Sequence, residues 1–343
     1  MITFWQQENG KLRKCADTIP DENQNTWIDV RSVTHDDITI LESEYQIDQE
    51  HILDILDQDE LSRIETTDTY TLIIVRLPMY KPETDITYQA VPVGIVLFPK
   101  KIITICWSDC DPLKDIAANR IRDLVLKDSP AFVMRLLSRS DTTFLRYLKE
   151  INRRAGTIQN ELATKVNNND LIQLMNLQKS LVFFTTALRS NQLLLERLSV
   201  TKILPLDEDD REWLDDVVID NRQAMEMADT YTNILQGITD AFNSVISNNM
   251  NIVMKRLSVI NLVMMAPTFI TSFFGMNFKL PFENLPGYIP VILASLLCVI
   301  SIFISIWLLG HESINNANAE KKPRKVREKQ VRKKHKAEKK VSD

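Results

Sequence analysis

The sequence predicts an α+β membrane protein: a mixed α/β N-terminal domain, a helical hairpin, and a very long helix continuing into the first of two C-terminal transmembrane helices. Three observations carry this. Runs rich in β-branched residues are confined to roughly the first 110 residues. From Asp111 onward the apolar spacing is helical. Two long apolar segments, 257–274 and 288–309, stand near the end.

Strands are expected at 27–31, 69–77, 90–98 and 102–107, with helical stretches between the first two, for instance 51–59. Pro99-Lys100-Lys101 reads as the tight turn of a hairpin between the last two strands. Helical spacing over 130–166 and 170–199, broken by Asn167-Asn168-Asn169-Asp170, predicts an antiparallel helical hairpin. Pro205 and the acids Asp207, Glu208, Asp209 and Asp210 form a helix start, because negative charge favours the N-terminal end of the helix dipole. No proline follows until Pro267, and one glycine, Gly237, intervenes, so a helix over 209–274 is expected. At 1.5 Å per residue it is on the order of 100 Å long. A lone helix of that length is not stable by propensity, which predicts self-association.

Composition limits the membrane part to a minority of the 343 residues, since hydrophobic content is 44%. Seven glycines suit long helices. Cys15, Cys106, Cys110 and Cys298 form no disulfide or zinc pattern and read as reduced thiols. No basic-then-apolar leader opens the chain, so the soluble part is expected to begin in the cytoplasm. Charge is segregated: residues 321–343 carry 12 Lys/Arg against 3 Asp/Glu, while residues 1–320 carry 29 against 43.

The second apolar segment has no charged side chain; the first contains Asn261, Pro267, Thr268, Thr271 and Ser272. Polar residues in a span face a neighbouring helix or a water-filled path. The connection between the segments, 275–287, carries only Lys279 and Glu283, whereas Lys255, Arg256 and the basic tail lie on the other side. The positive-inside rule then puts both termini in the cytoplasm. The tail reads as a topology determinant against anionic lipid heads rather than a nucleic-acid patch. The resulting division is 1–125 (α/β), 126–205 (hairpin), 206–256 (stalk helix), 257–276 (first span), 277–287 (external loop), 288–310 (second span) and 311–343 (tail).

Steps of three and four along the first span pick out Asn251, Met254, Ser258, Asn261, Met265, Thr268 and Ser272. All are polar or methionine, whereas other faces carry Ile, Leu, Val and Phe. Such a stripe lines a pore when several copies surround an axis, or forms a packing seam, where Ser, Thr and Asn also collect.

Span one ends in Phe273-Phe274-Gly275-Met276-Asn277-Phe278. Gly-Met-Asn in that position, with a short loop, a second span and a long preceding helix, resembles the CorA-type magnesium transporters. The likeness is clearest over 209–309. It implies a funnel-shaped homopentamer with a pore lined by the first span, and Mg²⁺ influx down its gradient across a bacterial inner membrane, with Co²⁺ and Ni²⁺ as alternative ions. Gly275, Met276 and Asn277 become the filter, recognising an ion that dehydrates reluctantly through its water shell. Gly275 is expected to let the chain turn at the helix end. A gapless match from Asn277 puts pore positions on Asn251, Met254, Leu257, Met265 and Thr268. Asn251 forms a polar ring, and Met254, Leu257 and Met265 form constrictions that gate by excluding water. The family often places proline two residues before the threonine, while Pro267 adjoins Thr268. Lys279 also precedes Glu283 where an acid is common.

The resemblance further implies regulatory Mg²⁺ bound between neighbouring cytoplasmic domains. Asp216, with Asp215 beside it, takes one side, and Glu83 or Asp85 in the turn Tyr80-Lys81-Pro82-Glu83-Thr84-Asp85 the other. Partners are thus further copies of the chain, lipids and divalent cations, without nucleic acid or organic cofactor. Zinc transport and a non-conducting membrane-anchored metal sensor are the alternatives. With four histidines and no phosphate loop or nucleophile motif, the sequence offers no enzyme.

Overall fold

The computed structural model describes residues 1–15, 25–122, 124–162, 168–201 and 203–276. In the second apolar segment it describes 288–289, 292–293, 295–304 and 307. The chain divides into two compact units, Met1–Asn243 and Ser244–Asp343.

The first unit is built on a seven-stranded sheet: β1 (Ile2–Glu8), β2 (Lys11–Lys14), β3 (Thr26–Arg31), β4 (Arg63–Thr66), β5 (Thr71–Tyr80), β6 (Tyr88–Leu97) and β7 (Lys101–Cys106). Their order is β2-β1-β3-β7-β6-β5-β4. β3 and β7 pair in parallel; every other pair is antiparallel. The four expected strands are β3, β5, β6 and β7. β5 runs three residues beyond its expected end at Leu77: Pro78 reads as a stop, yet pairing continues to Tyr80↔Tyr88, where the two rings lie 5.4 Å apart.

Helices α1 (His35–Ser43) and α2 (Gln49–Leu56) cover one face. α1 begins with a reciprocal cap: Asp37 N–H donates to Thr34 Oγ1 at 3.3 Å, and Thr34 N–H donates to the Asp37 carboxylate at 3.0 Å. α2 starts two residues before the expected 51 because Asp48 caps it. Ile52 and Ile55 join Ile28, Val30, Leu72, Ile74, Val96, Ile103 and Ile105 in a buried cluster on this face. α2 sits so close that a Cβ on Gly94 would fall inside the Ile55 side chain.

The alternate residues, Trp27, Ile73, Val75, Leu77, Val91, Val93 and Ile95, face the other side, as a period of two requires. There they meet α3 (Asp111–Ala117), α4 (Ser129–Leu162), α5 (Asn168–Val200) and the beginning of α6 (Glu208–Phe274). α4 and α5 are the two arms of the expected hairpin. α6 starts where the acids cluster: Asp207 Oδ1 accepts from Asp210 N–H at 2.8 Å, and Glu208, Asp209 and Asp210 occupy the first turn.

The second unit contains the end of α6 and an apolar helix, α7 (Ser295–Ile304). Among the described residues, α6 alone is long and apolar enough to cross a membrane, and its apolar window is wholly unburied within the chain.

Candidate functional site: the polar stripe of α6 and the acids of the first unit

In the second unit, the least exposed α6 residues are Val259, Val263, Ala266, Pro267 and Ile270. They recur at three- and four-residue steps and so share one side of the helix. On α7 the half-buried residues are Cys298, Ser301 and Ile302, and the Cys298 thiol lies 3.9 Å from the Pro267 carbonyl oxygen. This is the packing seam inside one chain.

Asn251, Met254, Leu257, Ser258, Asn261, Met265, Thr268 and Ser272 are all exposed. At 100° per residue their mean direction lies roughly 160° round the helix from the seam. The chain's own second helix therefore leaves the polar stripe uncovered.

Two hydroxyls on the stripe are held in a particular way. Ser258 Oγ–H donates to the Met254 carbonyl at 2.9 Å, and Thr268 Oγ1–H donates to the Met264 carbonyl at 2.7 Å. Each hydrogen is spent on its own helix one turn back, so the oxygen lone pairs are what the hydroxyl offers outward. Thr271 Oγ1 lies 3.1 Å from the Pro267 carbonyl and 3.0 Å from that of Thr268.

α6 closes with Gly275 N–H on the carbonyls of Thr271 (3.0 Å) and Ser272 (3.2 Å), followed by Met276 N–H on Phe273 (3.4 Å). Gly275 does not adopt the left-handed conformation that would demand glycine. A Cβ there would meet the Thr271 and Ser272 carbonyl oxygens at 3.4 and 3.5 Å, which is ordinary contact. The expected turn-making role of this glycine is corrected: within one chain, backbone geometry does not require it. Met276 is exposed. Asn277, Lys279, Glu283 and the basic tail lie outside the described residues.

The acids belong to the first unit. Asp215 and Asp216 are exposed on α6. Asp215 lines a cavity of about 290 Å³ with Arg211, Leu214 and the end of α5. Glu83 and Asp85 are exposed in the turn after β5. That turn is stapled by Thr84 Oγ1, which lies 3.0 Å from the Lys81 carbonyl and 2.9 Å from the Ile86 carbonyl. Asp85 opens into a cleft of about 380 Å³ between α4 and α5. The cleft also holds Glu150, Arg153 and Arg154, with Glu150 paired to both arginines at 2.8 and 3.2 Å. Among the described residues of one chain, no group of three or more His, Cys, Asp or Glu side chains converges to hold a metal. Asp216, Glu83 and Asp85 thus belong to no such group within the chain.

The sequence did not signal Asp220, one helical turn beyond Asp216. Its carboxyl is held above the ordinary range by burial first and then by the Asp216 charge. Asp141, buried on α4, is a further acid outside the expected set, and its place on that helix's apolar period is the signal that marks it.

Three comparisons bear on this arrangement. The family model for the CorA-like Mg²⁺ transporter protein matches residues 22–312. The cobalt/magnesium transport protein CorA of Methanocaldococcus jannaschii is 27% identical over 292 residues, 82% of this chain and 89% of that protein. The protein of the same name from Thermotoga maritima is 23% identical over 286 residues, 80% of this chain and 79% of that one. The complete structure of the CorA magnesium transporter from M. jannaschii superposes with a TM-score of 0.72 at 23% identity, covering 90% of this chain and 96% of that chain.

Proposed function

Since the chain belongs to the CorA-like Mg²⁺ transporter family, we propose that it conducts divalent cations, Mg²⁺ foremost, inward down their gradient through a pore lined by the α6 stripe. The observation that carries this reading is the opposition of two faces. α7 packs on the Val259–Ile270 side, and the stripe with its outward lone pairs is left for other copies of the chain.

In this reading five copies ring an axis in the plasma membrane, with two spans each and both termini in the cytoplasm. Mg²⁺ holds its water tightly. The stripe therefore meets a hydrated ion, whose waters donate to the amide oxygens of Asn251 and Asn261 and to the back-bonded hydroxyls of Ser258 and Thr268. Met254, Leu257 and Met265 form the constrictions that gate by drying. Gly275, Met276 and Asn277 form the outer filter. Regulatory Mg²⁺ bridges Asp216 or Asp215 of one copy and Glu83 or Asp85 of the next, holding the closed arrangement. Its loss leaves carboxylates facing one another and shifts the population toward open.

Cysteine scanning tests the carrying observation. In a chain whose four native cysteines are replaced, cysteines at 261, 265 and 272 are expected to react with a water-soluble thiol reagent and lose flux. Cysteines at 259, 263 and 270 are expected to stay unreactive. Equal reactivity on both faces would remove the pore reading.

A further inference from the structure

The apolar seam joining α4, α5 and α6 is interrupted. Leu136 and Leu137, Leu194, Leu195 and Leu198, and Leu214 and Val217 belong to the cluster against the sheet. Phe144 and Leu148, Phe184 and Leu188, and Ala224 belong to a second cluster. Between the two, all three helices bury polar groups: Ser140 and Asp141, Asn191 and Gln192, and Asn221.

Part of this layer is satisfied. Asn221 Nδ2 donates to the Leu188 carbonyl at 3.1 Å and to Gln192 Oε1 at 2.9 Å, while Gln192 Nε2 donates to Glu196 at 3.0 Å. Three buried atoms have no partner: Ser140 Oγ, Asp141 Oδ2 and Asn221 Oδ1. Asp141 is 3% exposed. Two of the three are acceptors, and the third is a hydroxyl with one hydrogen to give. An ionised Asp141 would be a buried carboxylate lacking a counter-charge, which is costly. A proton corrects the count by turning an acceptor into a donor.

The surrounding charges sharpen the point. The charged group acting on Asp141 is another acid, Asp220 of α6, and the one acting on Asp220 is Asp216. Arg139, two residues away on α4, is committed to Asp115 of α3 at 2.8 Å. α5 meets the layer with the uncharged Gln192 and a backbone carbonyl; of its neighbouring charges, Glu196 is engaged by Gln192 and Arg189 pairs with Asp229 of α6 at 3.3 Å.

We propose that Asp141 carries a proton at neutral pH where α4, α5 and α6 meet, making it a proton-sensitive lock on the helix that carries both the acids and the stripe. The Asp141 carboxyl is held well above its ordinary range, by burial first and then by the Asp220 charge. The sign follows. The folded state binds the extra proton, so the stabilisation is fully present below the unfolded carboxyl range and is lost as pH rises through the raised folded value. The proton site stands without the transport reading.

The test uses the full chain in detergent, without any transport assay. Thermal unfolding midpoints are measured from about pH 5 to about pH 9 for wild type, Asp141→Asn and Asp220→Asn. Infrared spectra at neutral pH record the carbonyl band of protonated carboxylic acids. The wild-type midpoint is expected to fall with rising pH. Asp141→Asn is expected to flatten that fall and lose the band, and Asp220→Asn to move the fall to lower pH. Should Asp141→Asn not fold, Asp220→Asn and the wild-type band decide. An unchanged fall in the variants, or no protonated-acid band in wild type at neutral pH, overturns the proposal.

Discussion

The Asn191 side chain pairs with the backbone of Arg76 as a neighbouring strand would. Its Nδ2 donates to the Arg76 carbonyl at 2.9 Å, and its Oδ1 accepts from the Arg76 N–H at 3.0 Å. Ser62 Oγ donates to the same Oδ1 at 2.7 Å. One amide on α5 thus satisfies β5 from the helical side. The Arg76 guanidinium is meanwhile held by the carbonyls of Glu60 (2.8 Å) and Gln58 (3.0 Å).

Replacing Asn191 by Ala leaves a buried donor and a buried acceptor on Arg76 without partners. Each costs about 1–3 kcal/mol. The expected loss, read from chemical unfolding of the first unit's signal, is about 2–5 kcal/mol. A loss near zero would mean that water replaces the amide.

Gly94 predicts a steric coupling. Gly94→Ala is expected to cost about 1–3 kcal/mol, because the new methyl enters the Ile55 side chain. Combined with Ile55→Val, the penalty is expected to shrink, since the two sites are in contact. An additive double-mutant cycle would contradict the contact.

Arg31 compensates a buried acid. It pairs with Asp29 at 2.6 Å, and Asp29 also accepts from Thr104 Oγ1 at 3.1 Å. Burial pushes the Asp29 carboxyl up, while Arg31 pulls it down. Arg31→Met is expected to destabilise by about 3–5 kcal/mol at neutral pH, because the remaining charge is buried alone. The loss should shrink in acid, where Asp29 takes a proton, and pH-dependent thermal melts would show this.

On the stripe, Thr268→Val keeps the shape but removes the outward lone pairs. Mg²⁺ flux in liposomes is expected to fall by about tenfold, the effect of about 1.4 kcal/mol. Thr271→Val, off the stripe, is expected to stay within about twofold of wild type. Equal effects would assign both hydroxyls to helix geometry.

Asp216→Asn is expected to abolish protection of the first unit by millimolar Mg²⁺ against limited proteolysis, while leaving the melt without Mg²⁺ nearly unchanged. Protection that survives the change would move the regulatory cation elsewhere.

The long helix was legible because its punctuation is strong: Pro205 and four acids at the start, and no proline before Pro267. The structure begins it at Glu208 and ends it at Phe274. The central strands were legible from their Val and Ile content. β1, β2 and β4 were not: β2 is Lys-Leu-Arg-Lys and β4 is Arg-Ile-Glu-Thr, polar because both lie at the sheet's edges. α1 falls where helical stretches were expected between the first two predicted strands, but its bounds were not read, although Thr34 and Asp37 spell its cap. The stripe was legible as a period, but its meaning was not, since a seam and a pore share the same residue types. Within the chain α7 packs on another side of α6 and leaves the stripe exposed, which supports the pore reading. Asp141 was legible in principle, since it falls on the apolar period of α4 with Leu137, Phe144 and Leu148.

The most direct measurement is Mg²⁺ entry into liposomes loaded with a Mg²⁺-sensitive dye, comparing wild type with Asn277→Ala under an inward gradient. Entry is expected in wild type and is expected to collapse in the variant while the oligomer persists. No entry in either, with the protein folded and oligomeric, would contradict it and pass the reading to zinc transport or to a non-conducting sensor.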